Sequence, residues 1–171
     1  VLYNPPHAKR IWTPEQIGRL VKRVPALVGL KTAGGDDAWF ESMRKHLAGI
    51  SVFIPGHRLA SGMQKGGYGA YSNAACINPL AAQRWTDQMK TDMPGALEIE
   101  RRLCLFMNET IIPLITEQHY SSGACDRFMA VMGGWADIGP RMRWPYRSIP
   151  VSEIPHARGK LQELVPEFVF G

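Results

Sequence analysis

The sequence predicts an α/β fold with parallel strands, and two strand ends with a helix between them carry this prediction. The first strand begins at Val1 and ends near Tyr3, because Pro5 has no N–H to donate to a strand ladder. The second strand is the apolar run 26–30, which ends at Lys31 before a turn rich in glycine and aspartate. A strand, a helix and a strand form a βαβ unit. Both strand ends therefore lie at the carboxyl-terminal edge, where parallel α/β folds bind ligands.

The segment between the two strands has the signals of an amphipathic helix. Thr13 suits the N-cap, Pro14 suits the first helical position, and Gln16 occupies the capping-box position. The apolar residues that follow have helical spacing: Ile17, Leu20, Val21 and Val24.

Strands and helices are predicted to alternate through the rest of the chain. The elements expected next are a helix capped by Asp36 or Asp37 and ending near His46, a strand at 50–54, a short helix around 59–63 and a strand at 68–72. The later elements are helices: one capped by Asn78, a long one from Pro94 with a kink at Pro113, one capped by Ser121 or Ser122, and a last one from Ser152.

The composition is that of a globular protein. Of 171 residues, 45% are hydrophobic and 20% are charged, and no apolar run approaches the roughly 18 residues that span a bilayer. Cys76, Cys104 and Cys125 are odd in number and form no CxxC pair, so we expect buried thiols in a reducing compartment. The sequence therefore favours a cytoplasmic protein without a membrane partner and without a metal site.

Lys31 is the residue best suited to a chemical reaction. A lysine at the inner end of a buried strand loses hydration water, and desolvation favours the neutral amine by lowering the pKa. A neutral amine attacks a carbonyl carbon and forms a Schiff base. The alternative is a structural lysine that pairs with a carboxylate.

Several motifs, in order along the chain, resemble one family. The Tyr-Asn-x-Pro motif at 3–6, followed by a βα unit and the Gly-x-Lys motif at 29–31, resembles the dihydrodipicolinate synthase and N-acetylneuraminate lyase superfamily. The stretch 66–72 is similar to the family's last barrel strand, Gly-x-Gly-x-x-Ser, and 142–145 with 148–150 is similar to its C-terminal proline-rich turn. These enzymes are TIM barrels that form a Schiff base with pyruvate or another 2-oxo acid.

The resemblance implies the C-terminal half of a TIM (β/α)8 barrel followed by C-terminal helices. Residues 1–93 would form the barrel strands and helices, and residues 94–171 the helical region. Val1 then falls where the fifth strand ends, so roughly four of the eight strands are missing from this chain. Half a barrel has two open sheet edges, and we expect it to need the N-terminal half or another copy to stay in solution. The intact parent is expected to be a homotetramer or homodimer.

The resemblance also assigns the chemistry. Lys31 is the Schiff-base lysine, and Tyr3 is the phenol that moves protons to and from the carbinolamine oxygen. Its alternative role is that of an aromatic residue packed at a strand end. The family takes further relay residues from segments absent here, so the isolated chain is expected to be inactive. The partners implied are a 2-oxo acid such as pyruvate and an aldehyde, without a cofactor, because the iminium serves as the electron sink.

Four residues are candidates for substrate binding. Gly56 falls where the family has a glycine that lets substrate approach the backbone. His57, with the adjacent Arg58, either favours an anionic second substrate or forms a solvated loop. Tyr71 stands where relatives place a backbone carbonyl near the imine, and its ring is expected to narrow the lumen. Asn73 either offers its amide to a substrate oxygen or caps the loop.

Two departures leave the substrate open. Lysine-pathway synthases carry an arginine that holds a substrate carboxylate where this chain has Ala8, unless His7, Lys9 or Arg10 takes its place. Thr32 follows the lysine where relatives commonly have an acid or an amide. The prediction is therefore a lysine-imine lyase, aldolase or dehydratase acting on a 2-oxo acid.

Three other interpretations remain. The first is a catalytically silent family member that acts as a scaffold or ligand sensor. The second is nucleic-acid binding through the basic and aromatic stretch 141–147; the net charge of +5 favours it, and acidic residues scattered along the chain disfavour it. The third is a dinucleotide site at 67–72. That site needs a helix to open at the glycine turn, whereas Asn78 delays it.

Overall fold

The computed structural model of the chain describes residues 1–170. Contacts between residues divide the chain into two compact units, Val1–Tyr71 and Ser72–Gly171. The boundary predicted after residue 93 separated barrel elements from C-terminal helices, and it stays a prediction.

The first unit is a parallel sheet with its connecting helices, which confirms the predicted α/β class. Its elements are β1 (Leu2–Asn4), α1 (Pro14–Arg23), β2 (Gly29–Thr32), α2 (Asp37–His46), β3 (Ser51–Pro55), α3 (Leu59–Gln64) and β4 (Gly69–Tyr71), with a 3-10 turn at Gly56–Arg58. All neighbouring strands pair in parallel, in the order β1-β2-β3-β4. The sheet is open at β1 and β4.

The register of the sheet separates two faces. Tyr3 pairs with Lys31, and Lys31 pairs with Phe53. Side chains alternate along a strand, so these three lie on one face and their neighbours lie on the other. Leu30 and Ile54, on that opposite face, are buried. The helix-covered face thus forms the core of this unit, and the other face carries Lys31.

Helix α1 begins as the sequence predicted. Thr13 Oγ1 accepts a hydrogen bond from the Gln16 N–H at 3.3 Å, and the Gln16 side chain accepts one from the Thr13 N–H at 2.9 Å. This reciprocal pair satisfies two N–H groups that a helix end leaves without partners. Gly18 lets the helix approach α2, because a Cβ there would lie 2.7 Å from the carbonyl oxygen of His46.

The second unit is helical. Its helices are α4 (Ala74–Ile77), α5 (Pro79–Gln88), α6 (Met93–Phe106), α7 (Ile112–Thr116), α8 (Ser122–Gly133) and α9 (Ile154–Leu164). Large side chains from α6 and α8, among them Leu103, Phe106 and Phe128, are fully buried and form its core.

The long helix predicted from Pro94 begins at Met93 and stays helical through Thr116, and its irregularity is a π-helical turn before Pro113. A π-helical turn, Met107–Ile111, follows α6, and α7 begins after it. Pro113 cannot donate a backbone hydrogen bond and disturbs the preceding turn of a regular helix. A π turn widens the ladder just before that position, so the disturbance lies upstream of the proline.

Two predictions need correction. The last helix begins at Ile154, after a 3-10 turn at Val151–Glu153, and not at Ser152. Cys125 is buried as predicted, whereas Cys76 and Cys104 are only half-buried. None of the three forms a disulfide. Within residues 1–170, no helix has both the length and the apolar character needed to cross a bilayer.

Candidate active site

Lys31 lies near the carboxyl-terminal end of β2, on the open face of the sheet. The Lys31 Nζ is 4.3 Å from the centroid of the Tyr3 ring, on the neighbouring strand. The parallel register pairs these two residues directly, so the βαβ unit brings together the two predicted catalytic residues. An ammonium group at this distance is attracted to the face of the ring.

A second tyrosine lies on the other side of the amine. The Tyr71 ring centroid, from β4, is 5.2 Å from the Lys31 Nζ. Phe53 braces this ring with an edge contact at 5.1 Å between centroids and 65° between planes. The lysine amine is therefore held between two phenol rings, both from residues that the sequence analysis selected.

The alternative of a structural ion pair finds no support in the described residues. The ion pairs formed within residues 1–170 involve Lys65, Lys90, Lys160 and two arginines, and none includes Lys31. In this part of the chain the amine contacts aromatic rings and no carboxylate.

Phe53 is the site residue that sequence reasoning missed. A Cβ on Gly29 or Gly69 would lie 3.5 Å from its ring, an ordinary van der Waals distance, so both glycines border the ring. The signal was present in the strand 51–55, where alternation places residue 53 on the same face as Lys31. Phe53 contacts the Tyr71 ring edge-on and limits its movement.

Asn4 has a structural role that the motif alone did not reveal. Its side chain is buried, donates to the Trp12 carbonyl at 2.9 Å and accepts from the Trp12 N–H at 3.1 Å. These two bonds hold the loop that follows β1 against Asn4, the residue after Tyr3. Thr32 is also buried, and its Oγ1 accepts a hydrogen bond from the Gly34 N–H at 3.4 Å, which shapes the turn after Lys31.

The residues after β3 differ in their exposure. Gly56 is buried in the 3-10 turn, His57 is half-buried and Arg58 is exposed. Arg58 lines a cavity of about 70 Å³ with Phe40 and Lys65 that includes neither Lys31 nor Tyr3. The expected substrate contacts of Gly56 and His57 stay predictions.

Arg10, one of the substitutes considered for the missing arginine, lies in a different groove. That groove has a volume of about 490 Å³ and is lined by Arg10, Ile11, Trp12, Gln16 and Arg19. Lys31 does not line that groove, and the carboxylate-binding role suggested for Arg10 stays a prediction.

Asn73 belongs to the second unit, just before α4. Ser72 Oγ accepts a hydrogen bond from the Ala75 N–H at 3.1 Å, and the Asn73 side chain makes no capping bond. Ser72 therefore caps this turn in place of Asn73, and the amide contact to substrate stays a prediction.

Cys76 and Cys125 are poor nucleophiles at neutral pH. Burial, with the nearby Asp126 carboxylate as a second cause, raises the pKa of the Cys76 and Cys125 thiols to about 11. Only the thiolate is a strong nucleophile. Among residues 1–170, no cluster of three or more His, Cys, Asp or Glu side chains is arranged to hold a metal ion.

Solved structures share this fold. A prophage protein of the dihydrodipicolinic acid synthase family from E. coli K12, in complex with pyruvate, matches with a TM-score of 0.76 and 17% identity, over 95% of this chain and 55% of that chain. Dihydrodipicolinate synthase from Thermotoga maritima matches with a TM-score of 0.72 and 19% identity, over 94% and 54% of the two chains. N-acetylneuraminate lyase from Fusobacterium nucleatum matches with a TM-score of 0.64 and 20% identity, over 95% and 53%.

No family model matches the sequence, and no curated protein sequence matches it significantly. At identities of 17% to 20% the structural likeness establishes the fold. The chain spans about half the length of these structures, so the fold is that of a partial TIM barrel. The chain therefore has the fold of the C-terminal part of the dihydrodipicolinate synthase and N-acetylneuraminate lyase structures.

Proposed function

We propose that this chain is part of a Schiff-base lyase or aldolase in which Lys31 condenses with pyruvate or another 2-oxo acid. One observation carries the proposal. The Lys31 amine lies between the rings of Tyr3 and Tyr71, near the carboxyl-terminal end of a parallel strand. Ligand sites in parallel α/β folds lie at this edge. Two of the solved structures with this fold contain pyruvate, which supports a 2-oxo acid as the substrate class.

The first stage is formation of the imine. The neutral amine of Lys31 adds to the ketone carbon and gives a carbinolamine, which loses water and leaves an iminium ion. The Tyr3 hydroxyl donates a proton to the departing oxygen and accepts one when water returns. Tyr3 lies beside the amine on the paired strand, which suits this role.

The second stage is formation or cleavage of a carbon–carbon bond. Loss of a proton from the carbon next to the iminium gives an enamine, whose carbon attacks the aldehyde. The aldehyde oxygen takes up a proton, and water then releases the product and restores the Lys31 amine. The reverse sequence cleaves the bond. In both directions the iminium accepts an electron pair. The pair comes from the C–H bond during synthesis and from the carbon–carbon bond during cleavage.

We further propose that the active molecule is a closed barrel. The described sheet has four strands and two open edges, and the matching structures are about twice as long. The rest of the protein would supply the other strands and the groups that hold the carboxylate of the 2-oxo acid. A cytoplasmic homotetramer or homodimer is the assembly that the family resemblance favours.

Borohydride trapping tests the imine. The complete protein that carries this chain is incubated with pyruvate and borohydride, and the adduct is located by peptide mass spectrometry. We expect a reduced pyruvyl adduct on Lys31 in the wild type and none in Lys31→Arg. Lys22→Arg is the matched control, because Lys22 is an exposed lysine on α1. Its adduct at Lys31 should equal that of the wild type.

Absence of an adduct with pyruvate and with other 2-oxo acids would contradict the proposal. The fold would then have been kept without its chemistry, and a scaffold or ligand sensor would be the better interpretation. Equal labelling of several exposed lysines would contradict it as well, because it would show that Lys31 has no special reactivity.

A further inference from the structure

The face of the sheet that carries Lys31 is aromatic. Tyr3 and Tyr71 remain 51% and 52% exposed on either side of the amine. Phe53 pairs with Lys31 in the register, and Tyr68 meets the Phe53 ring edge-on at 5.7 Å between centroids. Two of these rings, Tyr3 and Tyr71, contact the Lys31 amine, and we call the four together the aromatic wall.

Tyr71 is the member of the aromatic wall that is best placed to meet a second substrate. Phe53 pairs with Gly69 in the register, so Tyr71 lies one pleat beyond the row of Lys31, toward the carboxyl-terminal edge. Phe53 supports one side of its ring at 5.1 Å. Half of the ring surface stays exposed beside the amine, which offers a flat apolar surface that is fixed in orientation.

The same face offers few partners for hydroxyl groups. Apart from Lys31 and the tyrosines, the positions of the four described strands on this face are Gly29, Ser51, Phe53, Pro55 and Gly69. A polyhydroxylated aldehyde placed here would give up hydrogen bonds to water without replacing them, which disfavours its binding. Arg58, the nearby cation expected to favour an anionic substrate, lines a separate cavity.

We propose that the aldehyde partner of this site is aromatic and that Tyr71 selects it by stacking on its ring. This inference rests on the proposed Schiff-base function and names its second substrate class. The enamine carbon bonds to the carbonyl carbon of an aryl aldehyde, and the carbonyl oxygen takes up a proton. Hydrolysis of the iminium releases a 4-aryl-4-hydroxy-2-oxobutanoate. Cleavage of that product returns the aryl aldehyde and pyruvate.

The test compares two aldehydes on the complete protein with pyruvate. We expect kcat/KM for benzaldehyde to exceed that for glyceraldehyde by at least about tenfold, the scale of discrimination that one apolar contact gives. Tyr71→Ala should lower the ratio of the benzaldehyde value to the glyceraldehyde value by about tenfold or more. Tyr71→Phe should keep the preference, because the ring carries it. Tyr146→Ala, an exposed tyrosine in the second unit, is the matched control and should behave as wild type.

Borohydride trapping separates this inference from the proposed function. If pyruvate is trapped on Lys31 and glyceraldehyde is the better substrate, the aromatic assignment is overturned and the imine chemistry stands. A preference for benzaldehyde that survives in Tyr71→Ala would overturn the role of Tyr71. If no imine is trapped in the wild type, both proposals fall together.

Discussion

Single residues decide how firmly the two tyrosines are held beside Lys31. Phe53 supports the Tyr71 ring through an edge contact. Tyr3 depends on its strand and on the neighbouring Asn4, whose buried side chain fastens the following loop through two bonds to Trp12. The loop anchor is therefore part of what positions the proposed proton relay.

Replacing Asn4 by alanine should loosen this anchor. The change removes both hydrogen bonds between the Asn4 side chain and the Trp12 backbone. At about 0.5–1.5 kcal/mol for each bond, the loss in the free energy of unfolding is about 1–3 kcal/mol. Chemical denaturation measures the loss, and hydrogen exchange at the Trp12 amide should become faster. Asn108→Ala, at an exposed position, is the control and should change neither quantity. An unchanged exchange rate at Trp12 would show that the loop is held by something else.

At the scale of elements, one arginine on α6 binds the segment 164–167, where α9 ends. Arg102 donates to both carboxylate oxygens of Glu167, at 3.0 and 2.6 Å, and to the carbonyl of Leu164 at 2.9 Å. A guanidinium that binds a carboxylate with two parallel bonds is more directional than an ammonium.

Arg102→Lys should therefore lower stability although it keeps the charge. We expect a loss of about 1 kcal/mol, because the pair is partly exposed and solvent screens it. Arg101→Lys is the control, since Arg101 pairs with Glu98 on the exposed surface of the same helix. Thermal denaturation at pH 7 measures both variants. Equal melting temperatures for the two would argue against the fastening role.

The same pair has a defined pH dependence. The hydrogen bond from Arg102 holds the pKa of Glu167 below its ordinary value. The stabilisation is therefore complete above the ordinary carboxyl pKa and is lost as the pH falls through the lowered one. The stability difference between wild type and Arg102→Lys should shrink in that acidic range.

Helix caps and strand ends were predictable from the sequence because they depend on neighbours within a few residues. The capping box at Thr13 and the cap at Asp36 are local hydrogen bonds, and both lie where the sequence placed them. The pairing of Tyr3 with Lys31 was predictable as well, because one βαβ crossover determines it. Phe53 was missed because its role depends on a ring contact with Tyr71, which lies on the neighbouring strand. A disturbance in the turn before Pro113 was predictable, but its form as a π turn was not, because several local arrangements accommodate a proline within a helix.

At the scale of the molecule, the first unit presents an uncovered sheet. Tyr68, at 68% exposure, extends the aromatic wall toward the open edge at β4. Exposed apolar faces and unpaired strand edges promote association. We expect the isolated chain to form oligomers or aggregates in size-exclusion chromatography with light scattering.

A charge on the aromatic wall should reduce this association. Tyr68→Glu is the test variant, and Tyr146→Glu is the control, because Tyr146 is similarly exposed at 57% and belongs to the second unit. Only the first change should shift the distribution toward monomer. A monodisperse wild-type monomer with a cooperative melting transition would show instead that half a barrel folds and stays monomeric by itself.

The pairing of β2 with its neighbours has a consequence for misfolding. Leu30 and Lys31 are adjacent, and one is buried under the helices while the other lies on the open face. A slip of β2 by one residue would exchange them, placing an ammonium group in the core and a leucine between the two phenols. Such a misaligned chain would keep its sheet but have no amine beside the phenols. Chemical trapping of Lys31 therefore also reports strand alignment, which circular dichroism does not detect.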